Sequence, residues 1–327
     1  MYSPEAREMA ESLGLKMGPA NLDQFAATLA ELARADRNII AVTSDSRGSG
    51  KLGPFAQELP RQLIEVGIAE QNLVGVTAGL AAAGKKPFGV SPACFLTARS
   101  LEQIKNDVCY SDVPATLVGI SAGVSYGALG STHHSLHDFA ALRAIHNISV
   151  IAPADNFETR ASVRAAVNSE KPMYLRFGKA ATYSLHGREA KFEPGKSIAL
   201  RHGNAAALIA TGETVIHALL AAGQLARHGI ACRVISMHTV RPLDVEAVLK
   251  AGRECGAVLT VEEHSIHGGL GEACAAALMQ DGGNVAFRII GIPDEETVTG
   301  SQADIFRHYG ITMEGLSEAV MQLVKLT

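Results

Sequence analysis

The feature that most constrains this chain is a run of small apolar residues, IEVGIAEQNLVGVTAGLAAAGKKP, at positions 64–87. From position 73 to 83 it holds Gly75, Thr77, Ala78, Gly79 and an alanine run, with no charge at all. A helix of that composition has no polar face, so it is expected to be buried and packed closely against another backbone. Gly84 and Pro87 close it. One carboxylate, Glu70, stands at its mouth. Two readings are open for it. Glu70 is either a first-turn acid stabilised by the helix dipole, or a desolvated carboxylate suited to sharing a proton with a heterocycle nitrogen.

Short apolar runs alternate with helical patterns along the chain, which predicts an α/β protein with mainly parallel sheets. Strands are expected at 39–43, 63–66, 88–90, 115–120, 150–151 and 173–176, with helices at 22–35, 99–109 and 137–146. The charged stretch 185–197, with Gly187, Pro194 and Gly195, reads as a linker. A second series follows, with strands at 205–210, 232–236, 258–261 and 285–290 and helices near 215–227, 245–252, 270–279 and 315–324. The expected organisation is a first α/β domain over 1–185, a linker over 186–197 and a second α/β domain over 198–327.

At 327 residues, 47% apolar and 19% charged with a net charge of -4, the chain can fill two cores as an ordinary soluble protein. No basic stripe suggests nucleic acid and no run of about 18 apolar residues suggests a membrane span. The N-terminal stretch lacks the apolar core of a signal peptide. Cys94, Cys109, Cys232, Cys255 and Cys274 are odd in number and form no CxxC pair, as expected of reduced core residues in a cytoplasmic protein.

Several strings carry candidate chemistry. GSTHHSLHDFAALRAI, from position 130, places His133 and His137 four apart beside Asp138. On one helical face these could bind zinc, but no further ligand lies nearby; otherwise they are surface histidines at a helix start. TSDSRGSGKLG, from position 43, looks like a phosphate loop but fails the Walker pattern, because Lys51 is followed by Leu52. EEHSIHGGLGEAC, from position 262, half-matches the dinucleotide fingerprint, with Cys274 where a third glycine belongs. Phe95 reads as a core ring or a ligand platform. Arg176, ending a strand, reads as a phosphate ligand or one arm of a structural ion pair.

GIAEQNLVGVTAGLAAAGKKPF resembles the signature of the pyrimidine-binding domain of thiamine diphosphate enzymes, transketolases in particular. GKSIALRHGNAAALIATGETVIHALLAA and VEEHSIHGGLGEA resemble that family's C-terminal domain, so the likeness covers about residues 20 to 320. The resemblance implies that Glu70 hydrogen-bonds the aminopyrimidine ring and so promotes loss of the thiazolium C2 proton. It implies that Phe95 packs against that ring, with Pro92 and Ala98 standing where two family aromatics belong. It gives His133, in the Gly-x-Thr-His string, a role in moving protons on the donor ketose. Asp45 matches an acidic position beside the cofactor. Ser49 and Arg176 match groups that contact the sugar phosphate. The Gly-rich string from position 262 becomes a structural turn without a cofactor.

Two departures bear on the substrate. Ser121 stands where a family histidine reaches the sugar, and Leu129 where an aspartate recognises the acceptor's 2-hydroxyl. Both point to an unusual sugar phosphate, branched or deoxygenated near C2. The family's Gly-Asp-Gly motif, which holds Mg2+ on the diphosphate, is missing from the chain. The resemblance therefore implies the small subunit of a split transketolase. A large subunit would carry the diphosphate and magnesium site, in an α2β2 assembly. The alternatives are the β subunit of a 2-oxoacid dehydrogenase E1 component and a non-catalytic stabilising subunit.

Overall fold

The computed structural model describes residues 1–187 and 189–325, so position 188 of the expected linker and positions 326–327 lie outside the described residues. A seven-stranded sheet is ordered Thr239–Arg241, Ser149–Ile151, Met173–Phe177, Thr116–Ile120, Lys86–Pro92, Ile39–Thr43, Leu63–Glu65. Every neighbouring pair is parallel except the first. Successive side chains alternate faces. Ile39 and Ala41 join Phe25 and Leu29 of the helix Asn21–Ala35 and Val163 of Asn156–Val167. Ile40 and Val42 join Leu73, Val74 and Ala78 of Glu70–Ala82 on the opposite face.

A five-stranded sheet is ordered Ala286–Ile292, Ala257–Ser265, Ala206–Ala210, Cys232–Ser236, Ile198–Arg201, with only the last pair antiparallel. Helices Val215–Ala226 and Met313–Val324 cover one face, and Val245–Glu254 and Leu270–Gln280 the other. The two units exchange elements. Thr239–Arg241 leaves the second series to pair with Ser149–Ile151, and the N-terminal helix Pro4–Ser12 packs Met9 against Gly223 of the second unit.

The small-residue helix is buried on one side only. Leu73, Val74, Thr77, Ala78 and Ala81 face the sheet, and a side chain at Gly89 would collide with Thr77 and Leu73, so helix and strand approach closely there. A Cβ at Gly75 or Gly79 would meet nothing. The expected close packing on another backbone is found on the sheet side, while within this chain the Gly75–Gly79 face is open. The segment expected as one helix from 99 to 109 begins earlier and breaks. Helix Ala93–Arg99 is followed by Leu101–Gln103 and a π-helical turn, Ile104–Tyr110. Thr97 and Ser100 donate to the carbonyls of Ala93 and Leu96, a back-bonding that bends helices.

Candidate active site

The candidate residues gather at the C-terminal ends of the parallel strands, where α/β sheets place their ligands. Glu70 is the first residue of its helix and only 4% exposed. The loop before it is fixed by Glu65, whose carboxylate accepts from Thr43 Oγ1 at 2.9 Å and from the backbone N–H groups of Asp45 at 2.7 Å and Gly67 at 2.9 Å. Burial pushes the Glu65 carboxyl up, but these donors win and hold it below the ordinary value. Asp45 itself sits at a φ of 51°, exposed, with its backbone engaged and its carboxylate turned to solvent. Ser49 donates to Ser46 O at 3.2 Å within the same loop.

Phe95, on helix Ala93–Arg99, is half-buried. One turn later Arg99 lays its guanidinium 4.2 Å from the Phe95 ring centroid and donates from Nη1 to both oxygens of Glu70 at 3.1 Å. His133 meets Phe95 edge-on at 5.3 Å and Tyr126 edge-on at 5.5 Å. The Nζ of Lys179 lies 4.8 Å from the Tyr126 centroid. Thus Glu70, Phe95 and His133 do come together. Arg99, Tyr126 and Lys179 belong to the same cluster and were not read from the sequence. For Arg99 a signal existed, since Phe95 and Arg99 are four apart and so neighbours on one helix face.

His133 sits in a turn, its N–H donating to Gly130 O at 2.9 Å and its Nδ1 lying 2.9 Å from Thr132 Oγ1. The helix expected from 137 begins at Asp138. His133 and His137 therefore do not share a helical face, and His137 instead approaches Thr97 Oγ1 at 3.2 Å. Among the described residues no group of three or more His, Cys, Asp or Glu is placed to hold a metal ion. The loop carrying Ser121, Leu129 and His133 turns through positive φ at Ser121, Gly123, Gly127 and Gly130. Ser121 is buried and its hydroxyl opposes the upward push of burial on the Tyr126 phenol. Leu129 is 55% exposed.

Arg176, expected to contact a sugar phosphate, is instead tied into a buried ion pair. It is buried, donating from Nε to Asp138 at 2.8 Å and from Nη2 to the carbonyls of Glu263 at 2.8 Å and Ser135 at 3.2 Å. Its guanidinium also packs 4.5 Å from the Phe139 centroid. Burial opposes the charge on Asp138, but Arg176, His264 and the Tyr174 hydroxyl hold its carboxyl below the usual range. The N–H groups of the Gly-rich turn are taken up within the chain. Glu262 fills it, accepting from the N–H groups of Leu270 at 2.6 Å and Gly271 at 2.8 Å. A side chain at Gly269 would overlap that carboxylate, which is why glycine stands there.

The second unit braces the loop that carries Ser121, Leu129 and His133. Glu263 accepts from Val124 N–H at 2.9 Å, and Gln302 Nε2 bridges Glu263 at 2.8 Å and Glu213 at 3.3 Å. Burial pushes Glu213 up, reinforced by Glu263; burial also pushes Glu263 up, against the opposing charge of Arg176.

A thiamine-type aminopyrimidine fits the residues present. The half-buried Phe95 ring and the Glu70 carboxylate are already met together by one planar group that stacks and donates N–H bonds, the Arg99 guanidinium. A protonated aminopyrimidine offers the same two contacts.

Comparison with known proteins gives the family. The family model for the transketolase pyrimidine binding domain matches residues 18–183, and that for the transketolase C-terminal domain matches 195–316. The chain is 48% identical to one of the subunits of the apulose-4-phosphate transketolase of Phocaeicola vulgatus, over 92% of this chain and 96% of that one. It is 34% identical to the 6-deoxy-6-sulfo-D-fructose transketolase subunit SqwH of a Clostridium species, over 93% and 94% respectively. A solved split gene transketolase, an inactive beta4 tetramer, superposes with a TM-score of 0.86 at 33% identity, over 94% of this chain and 99% of that one. With both domain models matched and near full-length relatives in hand, the chain belongs to the transketolase family.

Proposed function

We propose that this chain is the small subunit of a split transketolase that moves a two-carbon ketol unit between sugar phosphates. Thiamine diphosphate, when bound, supplies the carbanion-stabilising chemistry. The observation that carries the reading is the convergence of Glu70, Phe95 and His133 beyond the C-terminal ends of neighbouring parallel strands. Glu70 holds a proton at the pyrimidine nitrogen. Phe95 fixes the ring's plane. His133, with Nδ1 turned to Thr132, leaves Nε2 to exchange protons with the ketose. Asp45 is assigned to the cofactor, and Ser49 with the exposed Lys179 to the sugar phosphate. Ser121 and Leu129 leave the acceptor's 2-hydroxyl without an imidazole or carboxylate partner. An unusual sugar phosphate follows, and the relatives named for apulose 4-phosphate and for a sulfo-fructose support it.

The diphosphate and its Mg2+ are assigned to a large subunit in a cytoplasmic α2β2 assembly. The five cysteines are free and buried, which suits a reducing compartment. The test is reconstitution. The purified chain with thiamine diphosphate and Mg2+ should be inactive, and adding a partner that carries the Gly-Asp-Gly motif should restore ketol transfer. Activity of the chain alone would refute the split design.

A further inference from the structure

Glu70 is 4% exposed, yet among the described residues its side-chain hydrogen bonds come from Arg99, whose side chain is 50% exposed. The described partners of that guanidinium are Glu70 and the Phe95 ring. A planar cation thus lies on the aromatic platform and donates N–H bonds to the buried acid. These are the contacts assigned above to the aminopyrimidine ring, so two planar donors would compete for one slot. Arg99 ends its helix, at the break before Leu101–Gln103, and half of its side chain is exposed. It can swing out by rotamer change alone, without moving the backbone.

We propose that Arg99 is a stand-in for the aminopyrimidine: in the free subunit it satisfies Glu70 and covers Phe95, and it yields the slot when the cofactor arrives with the partner subunit. The proposal rests on the reading that Glu70 and Phe95 hold the cofactor ring. Its physical basis is that a buried acid left without a donor is costly. The subunit meets that cost internally until assembly, and the cofactor must then displace a contact that one guanidinium nitrogen makes to both carboxylate oxygens. Removing Arg99 should therefore tighten cofactor binding, the opposite of what removing a permanent pocket wall would do.

The experiment is calorimetric titration of thiamine diphosphate, with Mg2+, into the reconstituted complex. Arg99→Ala should bind about tenfold tighter than wild type, in line with the loss of a competing charged hydrogen bond. Arg99→Lys keeps the charge but loses the planar stack and should fall between the two. In a Glu70→Ala background, Arg99→Ala should change the affinity little, because the shared acceptor is gone. Unchanged or weaker binding by Arg99→Ala would overturn the proposal and make Arg99 a standing part of the pocket. A wild-type complex that binds no cofactor, or whose affinity ignores both Glu70→Ala and Phe95→Ala, would instead sink the site reading itself, and the stand-in with it.

Discussion

Replacing Arg176 by methionine separates two roles that the sequence left open. In the structure the guanidinium neutralises Asp138, which is 0% exposed, and bonds two carbonyls, one of them from Glu263 in the second unit. Methionine preserves much of the packing on Phe139 but leaves Asp138 with only the Tyr174 hydroxyl, at 2.9 Å, as a close donor. Breaking a buried pair by removing one partner costs about 3–5 kcal/mol. For a chain of this length that lowers the thermal midpoint by about 4–7 °C. Asp138 is held below its ordinary value, so the pair's contribution is present above the usual carboxylate range and lost as pH falls through the depressed folded value. The gap between wild type and variant should therefore close in acid. Adding Asp138→Leu should recover most of the loss, because the uncompensated charge is gone. Thermal unfolding of the purified subunit, followed by circular dichroism across pH, measures all three. An unchanged midpoint together with a KM for the sugar phosphate raised tenfold or more would refute the argument and return Arg176 to the phosphate.

Three further outcomes are expected. Glu70→Gln keeps the shape of the acid but not its basicity, so exchange of the thiazolium C2 proton in the reconstituted complex should slow by at least about 10²-fold; unchanged exchange would make Glu70 structural. Leu129→Asp should raise kcat/KM for acceptors with a 2-hydroxyl over those without by about ten- to a hundredfold, the worth of one charged hydrogen bond, whereas His133→Ala should depress turnover with every donor. Glu213 and Glu263 have raised folded values, so their charged forms oppose folding and stability should fall as pH rises above the ordinary carboxylate range; urea midpoints of Glu213→Gln should lose much of that fall, and a slope identical to wild type would show that the pair does not govern it.

Several features were legible before any coordinates. The alternation of apolar runs located the two sheets, because side-chain period and β-propensity are local properties. Glu70 at the mouth of an uncharged helix marked a candidate site, and the strings around Glu70, Phe95 and His133 resembled a family whose membership the comparisons then showed. One local signal was overlooked: helix Asn156–Val167 opens on Asp155, whose carboxylate caps Glu158 N–H, a three-residue spacing visible in the sequence. Other features could not be read locally at all. The crossing of Thr239–Arg241 into the first sheet depends on a strand edge nearly ninety positions away, at Ser149–Ile151. Arg176 looked like a phosphate ligand because a strand-end arginine has that chemistry; only the fold brings Asp138 and Glu263 to it from 38 and 87 positions away and shuts it from solvent. The same holds for Glu262 filling the Gly-rich turn and for Arg99 closing on Glu70. A sequence states which charges a chain carries and on which elements. Which charges meet, and which are left to face a ligand, is settled when those elements pack and remove the rest from water.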